Sequence, residues 1–206
     1  MSPLAGPDAV ARLAALVRAS APRLGVGGAA PTRLVLIDGP AGSGKTTLAD
    51  RLAAELAGGH SGQPGHQGPP QVLHADDMYE GWGGLPTLDE VLVAQVLAPL
   101  VRGDDGGFRR WDWAADARAE HVRVPAGQPL LIVEGVGVGM RLARAHASVM
   151  VWVEAPAPLR RARGLERDGD ELRDEWDRWQ RAEDAFLDGE GTRAAADVHV
   201  DGSHPW

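Results

Sequence analysis

The chain of 206 residues has no cysteine, so it can form no disulfide, no thiolate metal site and no cysteine nucleophile. Lysine is nearly absent. Of 21 basic residues 20 are arginine, and the single lysine is Lys45. Positive charge is in short supply overall, with a formal charge of −8, which argues against a broad nucleic-acid or anionic-membrane surface. No apolar run approaches the roughly 18–20 residues needed to span a bilayer. The sequence therefore predicts a cytoplasmic protein whose partner is neither nucleic acid nor membrane. An oligomer is neither required nor excluded.

What is present is ordinary for a globular chain: 44% apolar and 24% charged residues, long enough for one domain with a real core. No internal repeat is visible. Residues 1–32 read as an N-terminal helix and linker, with Val10, Leu13, Leu16 and Val17 on one stripe; residues 33–206 read as the main domain. Apolar runs at 33–38, 71–75, 129–135, 148–154 and 196–201 read as strands. They alternate with helical patterns at 44–56, 86–101, from about 156, and 170–187. FRRWDW (108–113) and HVRV (121–124) can pair as a hairpin. The loop at 57–70 holds five glycines and three prolines; His60, His66 and the SGQ at 61–63 are read there as solvated spacer. Alternating strands and helices predict an α/β fold of about five mostly parallel strands in three layers.

Residues 39–46, GPAGSGKT, fit G-x-x-x-x-G-K-[ST] at every fixed position, between a strand and a helix. Backbone N–H groups of such a loop cradle phosphates, and the following helix adds its positive dipole end. The expected nucleotide contacts are Gly39, Ala41, Gly42, Ser43, Gly44, Lys45, Thr46 and Thr47, with ATP as the nucleotide and the Thr46 hydroxyl on Mg²⁺. A GTPase base-reading motif needs a second lysine, and there is none.

A second strand ends in HADDMYEGW (74–82). An aspartate there lies on the same sheet edge as the phosphate loop, where ligands of open α/β sheets bind. A carboxylate at that place can orient an attacking hydroxyl and accept its proton. Together, GPAGSGKTT, ADDMY, WDW (111–113), LLIVEG (130–135), an arginine-rich helix and the closing TRAAADVHVDG give the chain a layout that resembles the uridine kinase family. Its relatives are the nicotinamide riboside kinases, pantothenate kinases and phosphoribulokinases, and the resemblance spans about 33–201.

The resemblance implies a P-loop kinase with an arginine-bearing lid that phosphorylates an alcohol of a small, nucleoside-like acceptor. It makes Asp76 the base and leaves Asp77 at a variable position. Tyr79, Trp82, Trp111 and Trp113 become acceptor walls, Glu134 approaches Mg²⁺ through water, and Arg163 and Arg167 are lid arginines. Trp176 and Trp179 read as core of the last helix. The pattern departs where the family carries a histidine and this chain has Asp116; Asp89 grips ribose only if the loop shifts. Two alternatives stay open: a phosphate-bearing acceptor gripped by Arg109 and Arg110, or a nucleotide-binding regulatory module with no acceptor.

A chain that uses arginine everywhere else needs a compact ammonium at position 45. Lys45→Arg should therefore depress nucleotide turnover sharply in steady-state kinetics, and wild-type turnover in that variant would refute this reading.

Overall fold

The computed structural model describes residues 3–25, 31–58 and 69–204. Most of the loop at 57–70, with His60, His66 and the SGQ, lies outside the described residues. The strands in chain order are β1 (Arg33–Asp38), β2 (Gln71–His74), β3 (Gly106–Asp112), β4 (Ala117–Val124), β5 (Leu130–Glu134), β6 (Val149–Glu154) and β7 (Val198–Asp201). Five of them form one sheet in the order β2-β5-β1-β6-β7, and every pairing in it is parallel. β3 and β4 form a separate antiparallel hairpin.

The helices are α1 (Ala9–Ala19), α2 (Lys45–Gly58), α3 (Leu88–Val91), α4 (Ala98–Arg102), α5 (Arg141–Arg144), α6 (Ala157–Asp168), α7 (Arg173–Glu190) and α8 (Thr192–Ala195). The single helix expected over 86–101 is instead α3, a π-helical stretch at Leu92–Leu97, and α4. Pro99 has no N–H to give to the Gln95 carbonyl, so regular α-helical bonding cannot run through this segment.

Continuous apolar strands bury both faces of the sheet. Leu34 and Leu36 of β1 point into a core shared with Leu88, Leu92, Phe108, Trp179 and Leu187. Val35 and Ile37 point the other way, against Leu48, Leu52, Leu13 and Val17. The result is three layers, helix–sheet–helix. α1 joins this second core rather than standing apart, and Leu4 bridges to Val200 on the edge strand. Its buried stripe is Ala9, Leu13, Ala14 and Val17, whereas Leu16, expected on it, is 44% exposed. No helix of the described residues is long and apolar enough to cross a membrane.

Because β1 lies between β5 and β6, the loop leaving its carboxyl end sits at the centre of the sheet edge. A buried carboxylate holds that loop's base. Asp38 Oδ1 accepts N–H bonds from Gly39 (2.6 Å) and Gly137 (2.8 Å), and Oδ2 accepts one from Gly139 (2.8 Å). Burial nevertheless raises its pKa to about 6, against the pull of those three N–H groups and Lys45.

The folded chain thus holds the Asp38 proton more tightly than the unfolded chain. Its contribution to stability is fully present below the unfolded value of 3.8 and is lost as pH rises through about 6. Asp38→Asn removes this titration. The urea midpoint of the wild type should fall relative to that of the variant between about pH 4 and about pH 7; an unchanging gap refutes the assignment.

Candidate active site

The phosphate loop opens onto a cavity of about 750 Å³, lined on one side by Ala41, Gly42, Gly44, Lys45, Thr46 and Thr47. Gly39 and Ser43, expected to touch the nucleotide, do not line it. Gly39 (φ 141°) passes so close to β6 that a Cβ would lie 2.0 Å from the Val153 carbonyl oxygen; its task is that close approach. Ser43 is fully buried, and its Oγ has no hydrogen-bond partner among the described residues. Lys45 Nζ donates to the Pro40 carbonyl at 3.0 Å, folding the ammonium over its own loop.

The loop is also braced from the lid side. Glu183 of α7 is fully buried; Oε2 accepts from the Ala41 N–H (2.8 Å) and from Trp179 Nε1 (3.0 Å). Its Oε1 takes Arg160 Nη1 at 3.0 Å, and Arg160 reaches the Ala41 carbonyl as well. Burial raises the Glu183 pKa, while the Ala41 N–H, Lys45 and Arg160 oppose the rise.

Thr46 and Glu134, expected around Mg²⁺, lie together at the mouth of the loop. Thr46 Oγ1 donates to Glu134 Oε1 at 3.0 Å, and His74 Nδ1 meets the same oxygen at 2.7 Å. That bond is the main reason the His74 pKa is raised. Glu134 is buried, and its Oε2 has no hydrogen bond among the described residues. One hydroxyl and one carboxylate oxygen suit a hard cation that keeps waters and shares phosphate oxygens. Among the described residues no group of three or more His, Cys, Asp or Glu could hold a metal by itself.

Asp76 sits across the cavity in the 3₁₀ turn Ala75–Asp77 that ends β2, and the Trp113 indole N–H fixes its backbone by donating to its carbonyl at 2.9 Å. The carboxylate opens to the cleft but is walled by protein. Removal from bulk water raises its pKa and Glu134 adds to the rise, while Lys45 and Arg167 pull it back. Asp77, at the variable position of the motif, also lines the cavity; its pKa is raised by burial.

The aromatic walls differ from expectation. Trp82 and Trp113 line the cavity, and Tyr79 does so from behind, almost fully buried with its hydroxyl donating to the Val136 carbonyl. Trp111 does not line it. A register shift between Arg109 and Trp111 and the placement of Trp113 in the hairpin turn put the two rings on different surfaces. Trp111 instead lies under the Arg118 guanidinium, 5.5 Å from the ring centroid. Trp176 and Trp179, read only as core, are buried and line the cavity too. Their spacing of three on α7, with Glu183 four residues on, puts an acid on an apolar stripe. That is the signal by which the sequence could have flagged them.

Arg163 and Arg167 both line the cavity. Arg163 donates to the Gly42 and Gly202 carbonyls, and Arg167 pairs with Asp168 at 2.7 Å. Gly164 between them leaves no room for a side chain, since a Cβ would lie 2.2 Å from the Trp176 ring. Arg109 and Arg110 are outside: they bond the Ala119 and Arg118 carbonyls and Glu120 on the hairpin. Asp116 occupies the hairpin turn at φ 50°, and Asp89 lines a different depression with Pro86 and Phe186.

No protein-family model and no curated protein matches the chain. Solved structures do. A structure described as a possible uridine kinase from Bacillus stearothermophilus has a TM-score of 0.64 at 22% identity, covering 93% of this chain and 97% of the other. A candidate fructose transport system kinase from Silicibacter sp. TM1040 has a TM-score of 0.59 at 24% identity, covering 92% and 98%. The chain shares its three-layer α/β fold with both.

Proposed function

We propose that the chain is an ATP-dependent kinase that transfers the γ-phosphoryl group to a hydroxyl of a small metabolite. One observation carries this reading: Asp76 faces the phosphate loop across a single cavity that Lys45, Thr46, Arg163 and Arg167 also line. Two structures with this fold are described as kinases, which is in keeping with it.

In this reading the loop N–H groups and Lys45 hold the phosphates of ATP. Thr46 and, through water, Glu134 would hold Mg²⁺, which would neutralise charge on the phosphates. Asp76 orients the acceptor hydroxyl and takes its proton as the new O–P bond forms and the bond to ADP breaks. Its raised pKa makes it a better base than an ordinary carboxylate. The transition state is loose in most analyses of such transfers, so positioning and charge matter more than base strength. Arg163 and Arg167 stand on the lid side, where charge develops on the transferring group.

A phosphate-bearing acceptor would need basic side chains beyond those facing ATP, and Arg109 and Arg110 are occupied elsewhere. A regulatory module without an acceptor leaves the aromatic box beside Asp76 with nothing to hold. The nucleoside-like acceptor implied by the resemblance finds aromatic walls here, but among the described residues the cavity lining has no Asn, Gln, Ser or His to read a base edge.

ADP release should depend on an alcohol when ribonucleosides, sugars and amino alcohols are screened; turnover indifferent to every alcohol sinks the reading. With the active alcohol in hand, Asp76→Asn should lower kcat roughly 10²–10⁴-fold with ATP binding by calorimetry unchanged. Asp77→Asn should cost less, and the reverse order would move the base to Asp77.

A further inference from the structure

One peptide of the phosphate loop has its two ends claimed by different parts of the site. Its oxygen, on Pro40, takes the Lys45 ammonium at 3.0 Å. Its N–H, on Ala41, is given to Glu183 Oε2 of α7 at 2.8 Å. A peptide unit is planar and stiff, so neither end turns without the other. The same Oε2 takes the Trp179 indole N–H at 3.0 Å. A chain of three hydrogen bonds therefore runs from a cation lining the cavity, through the Pro40–Ala41 peptide and one carboxylate oxygen, to a ring of α7.

A carboxylate beside a phosphate loop opposes the charge of a nucleotide, and burying one is costly. Glu183 is nevertheless fully buried; Arg160 offsets its charge at Oε1 and also reaches the Ala41 carbonyl at 3.3 Å. The pair thus grips Ala41 by both its N–H and its carbonyl. An apolar side chain would seal the same space without that cost, so the acid is there for what it holds. Lys45 and Glu183 also attract each other directly. At its far end the chain meets the segment that follows Asp76. The Trp179 ring lies edge-on to Tyr79 and Trp82, with centroids at 5.1 and 6.1 Å.

A phosphate brought to the loop takes a share of the Lys45 ammonium, which changes the charge at the oxygen end of the peptide. Hydrogen bonds in a chain polarise one another where water is excluded, so the change passes to Glu183 and on to Trp179. We propose that Glu183 is a positioning residue that couples nucleotide at the phosphate loop to the aromatic wall: it fixes the Ala41 peptide for binding and relays that binding to Trp179. The proposal rests on the nucleotide half of the kinase reading and holds whether or not an alcohol is phosphorylated.

The test uses Mg·ADP on the full chain, read by calorimetry and tryptophan fluorescence, with urea midpoints as the control for folding. Two double variants remove the buried charges together, since either charge left alone would destabilise the fold. Glu183→Gln with Arg160→Met keeps one carboxamide oxygen for the two N–H groups; Glu183→Leu with Arg160→Met keeps none. The leucine variant should bind Mg·ADP about tenfold more weakly than the glutamine variant. Mg·ADP should shift the emission of the wild type and of the glutamine variant. That shift should be mostly lost in the leucine variant and in Trp179→Phe.

Equal affinities or equal shifts in the two double variants overturn the proposal, and so does a full shift in Trp179→Phe. If the leucine variant fails to fold, Trp179→Phe, which keeps a ring in the core, decides alone. Failure of the kinase reading looks different. The expected pattern without transfer to any alcohol counts against the kinase and leaves the role of Glu183 standing. Transfer to an alcohol with Mg·ADP binding indifferent to Glu183 does the opposite. A wild type that binds no Mg·ADP overturns both.

Discussion

The architecture depends on one constraint: the phosphate loop must leave the central strand at a fixed angle and be held there from both sides, by Asp38 at its base and Glu183 from α7. Asp38 meets it from below. A fully buried carboxylate gathers the N–H groups of Gly39, Gly137 and Gly139, tying the start of the loop to the turn that follows β5. That same turn follows Glu134, so the phosphate loop and the acid beside Thr46 share one anchor. Burying a charge is costly, and burial accordingly raises the Asp38 pKa. Both carboxylate oxygens are occupied, so the network is fully connected where a half-satisfied one would be worse than apolar packing.

A second carboxylate performs the matching task from the lid. Glu183 holds the Ala41 N–H, the Trp179 indole and the Arg160 guanidinium in one buried cluster. A ring that lines the cavity and a peptide of the phosphate loop are therefore hydrogen-bonded to the same oxygen. The two halves of the site are not independent pockets that happen to adjoin. Between them, Gly164 lets α6 and α7 close to contact, bringing Trp176 against the helix that carries Arg163 and Arg167.

The sequence disclosed what depends on local pattern. Five apolar runs became the five parallel strands, and the glycine-rich loop, its lysine and threonine, and the aspartate at the end of β2 fell on one cavity. What stayed hidden depends on register and on tertiary partners. Trp111 and Trp113 look like residues of one strand face, but a register shift and a turn separate them. Trp176 and Trp179 form a helical stripe that looks like ordinary core; only the packing of α7 over the sheet edge reveals that their buried rings also bound the cleft. Asp38 and Glu183 are single acids in apolar surroundings, and no spacing rule reports which backbone N–H groups will come to meet them.

The β3–β4 hairpin pairs with no strand of the main sheet, yet its turn carries Trp113, which lines the cavity and is 41% exposed. The phosphate machinery is built from the ends of β1, β2 and β5, whose geometry the core enforces. One wall of the cavity is thus borne outside the main sheet, on a hairpin anchored in the core by Phe108 and Val124 and tied to the end of β2 by the Trp113–Asp76 bond. Sequence change in the hairpin turn can reshape one wall of the cleft while the strand ends that carry the phosphate loop, Asp76 and Glu134 stay as they are.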